Sequence, residues 1–494
     1  MTHSATYKTS LAFLASAILL LFFADLGVST LHPWAELGRM ALGAITPNFL
    51  SIDILLHALA MTVGFAFGGV ALGAGVGFCL AMVFHLRIVR VGCAFVRAIH
   101  ELFWALIFLQ VLGLNPLTGL MAIAVPYAGT FAKVYAEILE EADHSPMRAL
   151  PAGTPLLSAF FFARLPQSWS HLRAYTGYRL ECGLRSSAVL GFVGLPTLGY
   201  HLESYFQVGD YSQVAALLFL FYVLIATLRV WMRPRLMPLY AIATAVLLYG
   251  PINTSWANVT RFFTREVVPA PLRGAPLGDA ATWHALGHWA GDLATRQALP
   301  GAVNTVVLTQ IALVATGVLT LLWFPLISRH FLGRPGRLAG HVLLVVSRST
   351  PEYILAYVFL QLWGPSMLPA IVALALHNGA IIGHLIGRYS NGIDLRPDAP
   401  RGLNRYGYEV LPRVYPQFLA FLFYRWEVIM RETGILGILG VRTLGFYVDS
   451  AIAEIRIDRM MYLILLTALL NIGIDAFSRN LRARLRLTTT AKVE

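Results

Sequence analysis

Residues 178–194 read YRLECGLRSSAVLGFVG, and residues 424–440 read YRWEVIMRETGILGILG, matching at Tyr, Arg, Glu, Arg, Leu, Gly and Gly. The offset is constant, 425 − 179 = 246 and 445 − 199 = 246. Both stretches lie in apolar runs, where a charged side chain is expensive, so shared hydrophobicity does not account for three shared charges. Duplication does. A second block agrees: Arg97, Glu101, Phe108, Leu109, Gln110 and Gly113 return as Arg348, Glu352, Phe359, Leu360, Gln361 and Gly364, each 251 positions later.

The repeats sit in a chain of 494 residues that is 57% hydrophobic and only 13% charged, which excludes an ordinary soluble domain. Runs long enough to cross a hydrocarbon core recur along its length. Spans are expected at 11–28, 55–84, 91–113, 117–138, 168–194, 213–231, 236–250, 300–327, 339–363, 367–387, 414–440 and 459–478. Residues 11–24, LAFLASAILLLFFA, have the look of a secretory signal, but no small-residue cleavage site follows and eleven further spans do, so they count as the first helix. The fold expected is an all-α integral membrane protein of about 12 transmembrane helices, arranged as two parallel six-helix repeats. Its expected parts are a first unit over 1–250, a non-cytoplasmic connection with interfacial helices over 251–299, and a second unit over 300–494 that continues the bundle with span seven at 236–250. The pathway is expected along the axis relating the copies.

The net charge of +12 is almost all arginine, since lysine occurs only at Lys8, Lys133 and Lys492. Nucleic acid is not the expected partner, because the arginines gather in alternate short connections. Arg87 and Arg90, Arg229, Arg233 and Arg235, and Arg479, Arg482, Arg484 and Arg486 place those connections, and both termini, in the cytoplasm. Cys79, Cys93 and Cys182 have no metal-ligand spacing. His284 and His288 lie four apart, yet no carboxylate follows the first as a metalloprotease helix requires, so no metal site is expected.

With these residues in hand, the chain resembles the permease subunits of ATP-binding-cassette importers, in the phosphonate, phosphate and phosphite branch, with two permeases fused. Such permeases carry a cytoplasmic connection with a Gly, nine residues, an aliphatic residue, one residue, then Leu-Pro. Gly153, Ala163, Leu165 and Pro166 stand at that spacing, whereas the second copy keeps Leu411 and Pro412 with no Gly at the matching place. The resemblance implies coupling of segments 141–166 and 392–413 to an ABC ATPase dimer, through apolar helix faces that fit a groove. It also implies an extracytoplasmic binding protein that delivers substrate, and a multi-pass location in a bacterial inner membrane, among its lipids. The chain has no G-x-x-x-x-G-K-[ST] loop, so it is not itself an ATPase. No cofactor is expected on it, with ATP and magnesium held by the partner.

Arg179, Glu181 and Arg185, and their counterparts Arg425, Glu427 and Arg431, fall mid-span. Glu181 with Arg185 and Glu427 with Arg431 have i, i+4 spacing, which would leave Arg179 and Arg425 for a phosphonate-like oxyanion in the pathway. Arg97 with Glu101 and Arg348 with Glu352 repeat that spacing and suit a helix lock or an inner gate. Gly194, Gly199, Gly440 and Gly445 sit where spans leave the membrane, as tight turns, close helix approaches or a gate. The alternative function is a secondary transporter with parallel repeats, which would need no ATPase.

Overall fold

The computed structural model describes residues 2–49, 52–143, 145–151, 153–250 and 255–487, whose regular structure is all helical, with no strand among them. In chain order the main helices are α1 (Thr2–Leu21), α2 (Pro33–Ile45), α3 (Ile52–Met82), α4 (Arg87–Ala98), α5 (Glu101–Leu112), α6 (Pro116–Glu141), α7 (Leu165–Val189), α8 (Leu198–Val208) and α9 (Tyr211–Ala226). They continue as α10 (Met237–Leu247), α11 (Ala280–Leu293), α12 (Leu299–Trp323), α13 (Arg334–Ser349), α14 (Glu352–Trp363), α15 (Met367–Ser390), α16 (Leu411–Ile438), α17 (Leu444–Ala453) and α18 (Ile457–Arg484). In hydrocarbon every backbone N–H and C=O needs an internal partner, and helices supply it.

Five stretches are long and apolar enough to cross a bilayer: Asp53–Met82, Pro116–Glu141, Ala280–Ile327, Met367–Ser390 and Ile457–Arg484. Two more qualify only as bent pairs, α4 with α5 at 93° and α13 with α14 at 92°. The spans expected at 91–113 and 339–363 are thus each broken, at matching places. Ile99 and His100 are extended in the first copy, and Thr350 and Pro351 in the second. Pro351 forces its predecessor out of the helical region, while in the first copy His100 Nδ1 accepts a hydrogen bond from Leu102 N and caps α5. The span expected at 300–327 starts earlier, because α11 runs through a π-helical turn at Ala294–Ala298 into α12. That leaves about half of the expected 251–299 connection as non-spanning chain, and its residues 251–254 lie outside the described residues. The sequence reading also missed α2, α8 and α17, which are short and lie beside or between the expected spans.

Two compact units form, Arg39–Arg265 on one hand and Met1–Gly38 with Glu266–Glu494 on the other. This division differs from 1–250, 251–299 and 300–494, because the first span of each repeat packs with the later core of the other. In the first unit α10 lies on α3, with Tyr240 and Phe67 rings 6.0 Å apart. In the second, α1 lies on α12 and beside α16: Gln310 Nε2 donates to Ser16 Oγ at 2.9 Å, Tyr415 OH to Ser10 Oγ at 2.7 Å, and the Phe13 ring lies 5.1 Å from that of Phe423, tilted against it.

Each unit is built on one tight helix pair. In the first, α3 presents Gly69, Gly73 and Gly77 to α6, where added Cβ atoms would come within 2.6, 2.9 and 2.5 Å of the Cβ atoms of Ile123, Tyr127 and Phe131. In the second the small residues change sides. There Gly379, Gly383 and Gly387 of α15 face Leu319, Trp323 and Ile327. Lipid tails are as apolar as the side chains they replace, so close packing of this kind, not water exclusion, holds such helices together.

Candidate functional site

The two repeated charged blocks, far apart in sequence, meet inside each unit. In the first, Glu101 opens α5 just past the break, and its Oε2 lies 3.2 Å from His100 Nε2. Ser186 of α7 donates to Glu101 Oε1 at 3.5 Å and shares a 3.2 Å hydrogen bond with Tyr127 OH of α6. Arg179, two turns earlier on α7, lays its guanidinium 4.4 Å from the Tyr127 ring centre. A desolvated stack of this kind contributes about 2 kcal/mol.

The second unit uses the same backbone places with different chemistry. Glu352 opens α14, and its Oε2 lies 3.9 Å from His377 Nε2. His377 Nδ1 lies 2.8 Å from the Thr350 carbonyl. A carbonyl only accepts, so Nδ1 carries the proton and Nε2 is turned toward the carboxylate. Asn378, the counterpart of Tyr127 (378 − 251 = 127), donates to Glu432 Oε2 at 2.9 Å. Glu352, His377 and Glu432 are buried, with one donor atom of each within 4.8 Å of the others. No metal ligands were expected from the sequence, and His377 and Glu432 escaped notice because their counterparts in the first copy, Pro126 (377 − 251) and Ser186 (432 − 246), are uncharged.

Two sequence expectations change here. Arg97 and Glu101 do not share a helical face, since α4 ends at Ala98 and α5 begins at Glu101, and the same break separates Arg348 from Glu352. Nor do Glu181 and Glu427 form the i, i+4 ion pairs: neither carboxylate makes an ion pair or side-chain hydrogen bond among the described residues, and Arg185 instead donates to Cys182 Sγ at 3.5 Å. Arg179 and Arg425 are likewise without hydrogen bond or ion pair among the described residues, each with a buried Nε that has no partner. Glu181 and Glu427 lie two positions on, hence on the far side of the helix.

The four glycines mark one motif made twice. Gly194 (φ +88) and Gly440 (φ +90) cap the ends of the α7 and α16 spans in the left-handed region. The chain then doubles back so closely that a Cβ on Gly199 would land on the Ala188 carbonyl oxygen, and one on Gly445 on that of Gly434. The left-handed φ accounts for Gly194 and Gly440, and close backbone approach for Gly199 and Gly445.

No family model and no solved structure matches the chain. Curated proteins do. The phosphate-import permease protein PhnE of Mycolicibacterium smegmatis is 26% identical over 425 residues, covering 81% of this chain and 78% of the relative. The phosphite transport system permease protein PtxC of Stutzerimonas stutzeri is 26% identical over 193 residues, 37% of this chain and 70% of the relative. The homologues of this chain are phosphonate, phosphite and phosphate ABC permeases.

The resemblance to ABC permeases directs attention to the two connections before α7 and α16. Each ends in a π-helical turn, Phe160–Arg164 and Arg405–Val410, that runs straight into a Leu-Pro helix start at Leu165–Pro166 and Leu411–Pro412. Instead of one amphipathic helix, segment 141–166 holds a single turn at Ser145–Arg148 and a second stretch, Leu156–Ala159, that runs on through Phe160–Arg164 into α7, with Pro151 and Pro155 interrupting the chain between them; His144 and Ala152 lie outside the described residues. Gly153 takes φ +90, and the second connection has its own left-handed glycine, Gly402 (φ +62), nine residues before Leu411 instead of the twelve that separate Gly153 from Leu165. Apolar side chains stand out from both connections: Phe162 is 83% exposed and Leu403 87%.

Glu409 holds the second connection together. It accepts from Arg396 N at 3.2 Å and Arg396 Nε at 3.0 Å, and pairs with Arg413. Burial alone would raise its pKa, but the Arg396 hydrogen bonds and both guanidinium charges hold the carboxyl below its usual range. A lowered folded value means that the stabilisation is complete above the ordinary carboxylate pKa and is lost as pH falls through the lowered one. Glu409→Gln is therefore expected to speed proteolytic cleavage within 392–413 several-fold at pH 7, and the wild type to reach the same rate only in strong acid. Limited proteolysis across pH measures both; equal cleavage of the two proteins at pH 7 would contradict it.

Proposed function

We propose that this chain supplies both halves of the membrane pathway of an importer for a phosphate-type oxyanion, phosphonate, phosphate or phosphite. It is driven by separate ATPase subunits that dock on segments 141–166 and 392–413, and is loaded by an extracytoplasmic binding protein. It sits in a bacterial inner membrane with both termini cytoplasmic. ATP and magnesium belong to the partner subunits, and this chain transports without catalysing hydrolysis.

The observation that carries the substrate reading is the matched pair Arg179 and Arg425. A guanidinium in an apolar span is costly, and here the cost is met twice at the same place with no carboxylate to offset it. A phosphoryl oxyanion offsets it, because its oxygens match the fork of N–H donors. The docking reading is supported by the paired π-turn and Leu-Pro starts and by the exposed Phe162 and Leu403. A second reading, uptake driven by a proton gradient, draws on the buried Glu352, His377 and Glu432, since such clusters serve as proton relays.

The test is uptake of radiolabelled phosphate, with phosphonate and phosphite as competitors, into vesicles holding this chain, its ATPase and the binding protein. ATP-dependent uptake blocked by one of the competitors is expected. Uptake that ignores ATP and collapses with a protonophore would transfer the assignment to the second reading.

A further inference from the structure

The second unit contains a cleft of about 320 Å³ that plays no part in the network above. Its walls come from the start of α13 and the end of α15, and its polar lining is Arg334, Arg337, His341, His384, Arg388 and Asn391. Three guanidiniums and two imidazoles share this space without an acid among them. Arg334, Arg337 and Arg388 form no ion pair among the described residues, and Arg337 Nε is buried with no hydrogen-bond partner. His384 is only 2% exposed, its Nδ1 has no partner either, and its ring lies 5.1 Å from that of His341. Asn391 is already engaged, its Oδ1 accepting from Arg329 N and its Nδ2 donating to Ile327 O.

Buried donors in folded proteins almost always find acceptors. The unpartnered Arg337 Nε, with the Arg334 and Arg388 guanidiniums on the same cavity and no acid among them, therefore describes the chemistry of an occupant: an anion with several acceptor oxygens. The duplication provides an internal comparison. At the position 251 residues before Arg388 stands Glu137, which lies 3.8 Å from Lys133, the counterpart of His384. The first copy also starts α4 with two arginines three apart, Arg87 and Arg90, as Arg334 and Arg337 start α13, so the change in the second copy is the loss of the acid, Glu137 giving way to Arg388. Helix-pair architecture alone does not require that loss, since the first copy packs the same helices with the acid in place.

We infer that the cleft between α13 and α15 is a binding site for a phosphate-type anion, separate from the Arg179 and Arg425 positions. The cleft lies at the end of the Met367–Ser390 span, the depth at which phospholipid head groups sit, so the phosphate is supplied either by an anionic lipid or by free phosphate in solution. Both present the same oxygens to the same fork of guanidiniums.

The full-length chain, purified into nanodiscs of phosphatidylcholine alone or with phosphatidylglycerol, distinguishes the sources. Native mass spectrometry reads retained phosphatidylglycerol, and equilibrium dialysis reads radiolabelled inorganic phosphate. About one phosphatidylglycerol retained per chain, or one phosphate bound in the lipid-neutral discs, is the expected result. Arg337→Gln and Arg388→Gln should each weaken that binding at least tenfold, and Arg388→Glu, which restores the acid of the first copy, should abolish it. Arg296→Gln, which removes an exposed cation paired with Asp292 far along the chain, should leave it unchanged. Gel filtration confirms folding, and Arg388 is exposed enough that its replacement leaves the packing intact. If neither anion is retained, or if Arg337→Gln and Arg388→Gln retain it as the wild type does, the site does not exist. Because none of these residues belongs to the proposed pathway, loss of uptake in Arg179→Gln has no bearing on this result.

Discussion

Gly445→Ala is expected to prevent the protein from reaching its folded state. The added methyl would lie on the backbone oxygen of Gly434, and the chain on both sides is held by helices α16 and α17, so neither partner has a side chain to move aside. Gly199→Ala meets the Ala188 carbonyl in the same way. Overlap with backbone that cannot relax belongs to the exceptional class of substitutions, roughly 4 kcal/mol or more. Thermal unfolding and the monodisperse fraction after extraction measure it. Gly287→Ala is the control, since nothing lies within 4 Å of its added Cβ, and it should be neutral or slightly stabilising. Wild-type recovery of Gly445→Ala would show that the turn after each span opens freely, and the glycines would then return to consideration as a gate.

The second large effect concerns Arg179 and Arg425. Replacement of either by Gln should lower substrate uptake about 100-fold, from the loss of two charge-assisted hydrogen bonds worth roughly 1.5 kcal/mol each. Assembly should survive, because neither guanidinium makes an ion pair or hydrogen bond among the described residues. Arg179→Gln also gives up the stack on Tyr127, so Arg425→Gln, whose guanidinium lies over no ring among the described residues, is the cleaner case. Equal uptake with Gln at both positions would remove them from the pathway. Failure to assemble would make them structural.

Much of this was legible along the chain. The duplicated charges disclosed two copies, and the blocks containing Arg97, Glu101, Arg179 and Arg185 are the ones that converge around Tyr127 and Ser186. The helical i, i+4 geometry inferred from spacing within those blocks did not follow in either case. An i, i+4 count presumes an unbroken helix, and α4 ends before Glu101 starts α5. For Glu181 and Arg185 the helix is continuous, yet Arg185 turns to Cys182. The basic cleft was equally invisible, because Arg337 and His384 stand 47 positions apart (384 − 337) and nothing in their local sequence marks them as neighbours.

The amino-acid sequence by itself determined the membrane class, the duplication and the positions where charge is retained inside apolar spans, since each follows from the transfer cost of residues counted one at a time. Only the tertiary structure decided which helix packs on which. Hydropathy cannot distinguish a lipid tail from a protein neighbour, as both are apolar, so the choice falls to shape. Small residues such as Gly73 and Gly383, and interhelical hydrogen bonds such as Gln310 to Ser16, select the partners. That is why α1 packs on α12 and α10 on α3, a pairing that chain order does not dictate.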